Sequence, residues 1–163
     1  MTLMRPTTPT LPLPPSLSFS PMREDDLTEV LVIENDIYPH PWTRGNFLDS
    51  LDSNYETWVL RAASGILVGY FLLMMAVDDA HLLNITVRGG LHGQGIGRLM
   101  LDKTVQLARD HHMSAILLEV RLSNERALAV YERYGFFQIG LRKDYYPAAN
   151  QTREDAVVMR LML

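Results

Sequence analysis

Between Val87 and Arg98 the chain reads Val-Arg-Gly-Gly-Leu-His-Gly-Gln-Gly-Ile-Gly-Arg, which sets five of its ten glycines between an apolar run and an amphipathic stretch. Glycine reaches backbone conformations closed to other residues and lets the main chain approach a ligand closely. A helix starting near Gly95 adds unpaired N–H groups and a partial positive end, so the segment predicts a strand, an anion-holding loop and a helix in that order. The same glycines could also serve only a tight strand-to-helix turn. Two familiar phosphate loops do not fit the spacing. A Walker loop ends in Gly-Lys-Ser/Thr, whereas Gly97 is followed by Arg98 and Leu99. The dinucleotide fingerprint needs glycines at positions one, three and six, but counting from Gly93 gives Gly95 and then Arg98, and from Gly95 gives Gly97 and then Met100.

The flanking pattern extends this unit in both directions. Leu17 to Met22 reads as a short strand, and Asp25-Asp26 place acid at the start of a helix in which Leu27, Val30, Leu31 and Tyr38 keep helical spacing. Glu34 falls on that same inward stripe. Thr43 begins a second short helix, and Tyr55 to Arg61 and Ile66 to Val77 form a hairpin across Ala62-Ala63-Ser64-Gly65. His81 to Val87 is the strand before the glycine loop, and Ile96, Leu99, Met100, Leu107 and Ala108 share a face of the helix after it. Ser114 to Arg121 reads as a strand covered on both faces, because Ala115 to Leu118 are all apolar. Ser123 or Asn124 caps a further helix that Gly135 ends, and strands over Phe136 to Arg142 and Ala156 to Leu161 complete the chain. The expected fold is α/β, a mixed and largely antiparallel sheet of about six to seven strands with helices on both faces.

A chain of 163 residues is most simply one domain. The expected boundaries are a proline-rich, disordered extension over 1–15 and a single domain over 16–163. Without cysteine there is no disulfide, thiolate nucleophile or thiolate metal site, and the five histidines lack zinc-protease spacing, so no metal is expected. No apolar span approaches the roughly 18 residues of a membrane helix, and the N-terminus has no signal-peptide pattern, which implies a cytoplasmic protein without a membrane partner. A net charge of −4 argues against direct nucleic-acid binding and is compatible with a basic peptide substrate.

Glu119 closes its apolar strand at the carboxyl end, where open α/β sheets place ligands. Burial there would raise its pKa, which suits a general base; the other reading is an ion pair with Arg121 on the same side of the strand. Tyr131 lies on the following helix, which can return its phenol to the same strand end. There it could donate to a leaving thiolate of pKa about 8.5, or it could simply fill the core.

Several separate blocks resemble the GNAT N-acetyltransferases. They are Asn84-Ile85-Thr86-Val87, Gly93-Gln94-Gly95-Ile96-Gly97-Arg98, Leu118-Glu119-Val120-Arg121-Leu122-Ser123-Asn124, Ala129-Val130-Tyr131-Glu132, Tyr134-Gly135-Phe136, Arg142-Lys143-Asp144-Tyr145-Tyr146-Pro147 and Arg153-Glu154-Asp155-Ala156. Within the family they are similar to the bacterial enzymes that acetylate the N-terminal alanine of a small-subunit ribosomal protein. The resemblance implies acetyl-CoA as co-substrate, Glu119 as general base and Tyr131 as general acid. It implies that the main chain of Ile85, Thr86 and Val87 pairs with the pantetheine arm, that Gly93, Gln94, Gly95, Ile96, Gly97 and Arg98 hold the pyrophosphate, and that Asn124 contacts coenzyme A. His92 stands where the family has glutamine or arginine, which affects one side-chain contact but not a cradle of backbone N–H groups. For the acceptor, the N-terminal peptide of a ribosomal protein, the resemblance nominates Glu34, Trp42, Tyr145 and Tyr146, with Glu34 facing a basic second residue. Other protein N-termini, lysines or small amines are the alternative acceptors, and a non-catalytic acyl-CoA-binding domain is a reading of a different class.

Overall fold

The computed structural model describes residues 16–163; the expected extension over 1–15 lies outside the described residues. Seven strands run through Ser18–Pro21 (β1), Glu56–Arg61 (β2), Leu67–Met75 (β3), Asp79–Val87 (β4), Ala115–Arg121 (β5), Phe137–Pro147 (β6) and Arg153–Met162 (β7). They form one sheet in the order β1-β2-β3-β4-β5-β7-β6, antiparallel throughout except for β4 and β5. Four helices complete the fold: Leu27–Ile37 (α1), Arg44–Asp52 (α2), Ile96–Asp110 (α3) and Glu125–Tyr134 (α4).

Alternation along the strands builds two cores, one on each face. Val59, Leu67, Tyr70 and Leu72 pack with Leu27, Val30 and Ile33 of α1 and Phe47 of α2. Leu60, Phe71, Leu73, Ile116, Leu118, Val157 and Met159 point the other way, against Ile96, Met100, Leu101 and Leu107 of α3 and the apolar side of α4. Gly69 permits the close approach of α3 to this second face, since a Cβ there would lie 2.7 Å from the Thr86 carbonyl oxygen and 2.9 Å from Met100 Sδ.

The sequence expectation differs from the structure at several element bounds, among them the start of β4, which is Asp79 rather than His81. Asp25 and Asp26 belong to a single turn of 3-10 helix over Glu24–Asp26, because the Asp26 carboxylate accepts from the Arg23 N–H and from Arg61; α1 begins only at Leu27. The third strand stops at Met75 rather than Val77. The last two strands are longer than expected: β6 reaches Pro147 and β7 starts at Arg153, so Tyr145 and Tyr146 stand on a strand and not in a loop. A register break between Arg142 and Tyr146 hides this extension from any alternation pattern.

Candidate active site

Gly93 and Gly95 adopt φ of +79° and +85°, the left-handed region that favours glycine, and Gly95 is the N-cap of α3. Among the described residues, a Cβ on Gly93, Gly95 or Gly97 would meet no atom within 4 Å beyond the adjoining residues and the helix's own backbone. The glycines are therefore not demanded by protein packing; their bare faces open into a groove of about 860 Å³ lined also by Arg98, Arg109 and Arg133. A backbone cradle at a helix N-terminus with Arg98 beside it fits a phosphorylated ligand, while Asp102 and Asp110 offset Arg109 and Arg133 further along the groove. His92 Nε2 lies 2.8 Å from the Val87 carbonyl, so the ring ties the loop to the end of β4.

β4 and β5 pair only from Asp79 to His81 against Ala115 to Leu117. Beyond that point no ladder joins them, and the strands part. Ile85, Thr86 and Val87 flank the gap on one side and Glu119 on the other. Two strands that twist away from each other leave main-chain groups unsatisfied, which an extended ligand arm can meet.

Glu119 has both carboxylate oxygens engaged. His81 Nε2 sits 2.5 Å from Oε2 and Arg142 Nε 3.5 Å from Oε1, while the side chain itself is only 9% exposed. Because a carboxylate only accepts, the His81 Nε2 must carry the hydrogen. Burial pushes the carboxyl upward, as the sequence reading expects, but the His81 hydrogen bond and charge and the Arg142 charge together outweigh it and hold Glu119 below its ordinary value. The expected upward shift is thus reversed. The expected alternative partner is also replaced, since Arg121 binds Glu154 at 2.8 Å and the Pro147 carbonyl at 2.7 Å and lies over the Tyr146 ring.

Tyr131 is packed edge-to-face with Phe136, ring centroids 5.6 Å apart. Burial raises its phenol well above the ordinary value, with Tyr38 and Tyr146 adding to the effect, so the group stays protonated at neutral pH. Tyr146 is raised by burial and then by the nearby Glu119 charge. Tyr146 thus lies within electrostatic range of both the Tyr131 phenol and the Glu119 carboxylate. Tyr145 and Tyr146 pack at 4.9 Å, with the Arg142 guanidinium 5.2 Å from the Tyr145 ring.

Glu34 is turned inward. It is 1% exposed, accepts from Tyr70 Oη at 2.7 Å and Asn84 Nδ2 at 3.0 Å on one oxygen, and from the Trp42 N–H at 3.0 Å on the other. The helical stripe that made this carboxylate conspicuous is a buried one, and three protein donors satisfy it there. Trp42 in turn packs on Phe47 at 5.2 Å. Asn124 Oδ1 caps α4 by accepting from the Ala127 N–H at 3.2 Å.

The residues beside Glu119 that sequence reasoning missed are His81 and Arg142. His81 shares an edge with Glu119 only through the parallel β4–β5 pairing, and Arg142 only through the register of β6 on β7. Neither spacing is visible along the chain.

A strand pair that parts beside a glycine cradle, with a carboxylate on the far strand, agrees with the frame that the resemblance to acetyltransferases implies. Residues 27–136 match the acetyltransferase (GNAT) family, and the chain belongs to it. Among its relatives is the ribosomal protein bS18-alanine N-acetyltransferase of Escherichia coli (strain K12), 31% identical over 88% of this chain and 96% of that protein. The enzyme of the same name from Haemophilus influenzae is 32% identical over 85% of this chain and 93% of its own length. The crystal structure of the ribosomal-protein-S18-alanine N-acetyltransferase from Escherichia coli superposes with a TM-score of 0.81 at 29% identity, covering 90% of this chain and 94% of that one.

Proposed function

We propose that this acetyltransferase moves the acetyl group of acetyl-CoA to the α-amine of an N-terminal alanine on a small-subunit ribosomal protein, in the cytoplasm. The observation that carries the chemistry is Glu119, a shielded carboxylate kept ionised at the mouth of the β4–β5 gap by His81 and Arg142. The names of the relatives, which cover almost their full length, support the acceptor.

In this reading the pyrophosphate rests on Gly93, Gln94, Gly95, Ile96, Gly97 and Arg98, and the pantetheine arm runs along Ile85, Thr86 and Val87, with Asn124 at its side. The peptide enters past Trp42, Tyr145 and Tyr146, on a loop that Glu34 holds in place. The amine nitrogen attacks the thioester carbonyl carbon, and its proton passes to Glu119, directly or through a water. As the C–S bond breaks, the electron pair stays on sulfur and the thiolate takes the Tyr131 phenolic proton; solvent returns a proton to Tyr131 as Glu119 releases one. The amine class matters energetically. An α-amine titrates near 8 and a lysine near 10.4, so neutralising lysine costs about 3 kcal/mol more.

The test is incubation with acetyl-CoA and a short peptide beginning Ala-Arg, following thiol release and peptide mass, beside the same peptide with a blocked amine. Acetylation of the free α-amine alone supports the proposal. Turnover only with lysine or small amines would replace the acceptor, and tight acetyl-CoA binding without turnover on any amine would make the chain a binding domain.

A further inference from the structure

A chain of hydrogen bonds runs from Glu34 to the edge of the gap, and its direction is fixed at the buried end. Glu34 can only accept, so Asn84 must present its Nδ2 to it, at 3.0 Å. That orientation leaves Asn84 Oδ1 facing Thr86, whose hydroxyl donates to it at 2.8 Å. Thr86 has one hydroxyl proton and it is now spent. Tyr38 Oη, 2.7 Å from Thr86 Oγ1, must therefore be the donor in that contact, and its other neighbour, the Ile85 carbonyl at 3.4 Å, is also an acceptor. Burial pushes the Tyr38 phenol up to about 12, so it keeps the proton that it gives to this network.

The consequence lies on the free side of the phenol. With its proton directed into β4, Tyr38 Oη offers only lone pairs to anything in the gap. Its position is beside the gap, since it stands against Ile85 and Thr86, on the stretch of β4 beyond His81 that no longer pairs with β5. A neutral primary amine has two N–H groups. One goes to Glu119 or its water; the other needs an acceptor if the lone pair is to point at the thioester.

We infer that Tyr38 is that acceptor: a substrate-positioning residue whose oxygen takes one N–H of the entering amine, with its polarity set by Glu34 through Asn84 and Thr86. The inference rests on the α-amine reading above. It makes Tyr38 specific for primary amines, because a neutral N-methylated terminus has a single N–H, which the base uses.

The experiment compares wild type and Tyr38→Phe on a peptide beginning Ala-Arg and on the same peptide methylated at its α-nitrogen. Expected is a loss of about tenfold in kcat/KM for the primary amine, the worth of one oriented hydrogen bond of about 1.4 kcal/mol, with the KM for acetyl-CoA unchanged and less than a twofold loss on the methylated peptide. Equal losses on both peptides, no loss, or a rise in the acetyl-CoA KM alone would reduce Tyr38 to a tie between α1 and β4. If wild type does not turn over the methylated peptide, Thr86→Val decides. It removes the nearer acceptor of the phenolic proton and leaves only the Ile85 carbonyl at 3.4 Å, so the phenol is less firmly oriented and Tyr38→Phe should cost less in that background than in wild type, whereas losses that simply add would overturn the inference. Wild type inactive on the primary α-amine would instead remove the reading underneath.

Discussion

His81 and Glu119 lie on strands that run side by side for only three residues, and their side chains meet 2.5 Å apart at the point where those strands part. The short contact does two things. It fixes the carboxylate at Oε2, and it offsets the rise in pKa that burial alone would cause. With Glu119 below its ordinary 4.5, the carboxylate is ionised across the neutral range, so with Glu119 as the proposed base the acid limb of kcat/KM should follow the substrate amine, near pH 8 for an α-amine. His81→Ala should raise the Glu119 pKa, lower kcat and add a second ionisation to that limb. Stability provides an independent readout. A carboxyl depressed by folding stabilises above its unfolded pKa and loses that contribution as pH falls through its folded value, so His81→Ala should lessen the fall in stability below about pH 4.5. Unchanged pH profiles of both rate and unfolding would sink this account.

Tyr131→Phe should lower kcat by about a hundredfold or more, the usual range for a lost proton donor, while the Kd of acetyl-CoA stays within about twofold. The aromatic pair with Phe136 survives the substitution, so melting should be close to wild type. Equal kcat in the two proteins, with acetylation retained, would assign the phenol to packing.

How much of this was legible along the chain depends on the range of the interaction. The glycine cradle, the amphipathic α3 with Ile96 and Met100 inward, and the Asn124 cap are set by residues a few positions apart, and local spacing reveals them. Glu119 and Tyr131 stand out toward the carboxyl ends of β5 and α4 too, but their environment does not. The expected rise in the Glu119 pKa failed because His81 and Arg142 arrive from β4 and β6, across a parallel pairing and a broken register. Glu34 misled in the opposite way. A carboxylate on an apolar stripe signals a partner, yet nothing in the sequence says whether that partner is a ligand or, as here, Tyr70, Asn84 and Trp42.

Gly97 gives a test in which stability and binding move in opposite directions. A Cβ there meets no protein atom, and the residue lies in the first turn of α3, where alanine is the better helix former by about 0.5–1 kcal/mol. Gly97→Ala should therefore melt slightly higher than wild type. Its added methyl group projects toward the groove that would receive the pyrophosphate, so the KM for acetyl-CoA should rise at least fivefold with the peptide KM little changed. A normal acetyl-CoA KM would show that the ligand does not approach the main chain at this point.

Glu34→Gln distinguishes a buried tether from a charge that reads the peptide. Were the carboxylate in the groove, the substitution would weaken peptides with arginine second more than peptides with a neutral residue there. Because it is 1% exposed and satisfied by three protein donors, its charge is spent on the protein, and the two peptides should lose equally. The effect should fall on KM for the peptide, since the Trp42 N–H that Glu34 holds belongs to the segment between α1 and α2 past which the peptide is proposed to enter. Glu34→Ala is the harsher companion. It leaves Trp42 N–H, Tyr70 Oη and Asn84 Nδ2 without their acceptor, which at about 1–3 kcal/mol for an orphaned buried group predicts a loss of at least about 3 kcal/mol in unfolding free energy. For a chain of this length that is a fall of about 6–12 °C in Tm. A selective loss on arginine-second peptides in Glu34→Gln, or an unchanged Tm in Glu34→Ala, would return Glu34 to the groove.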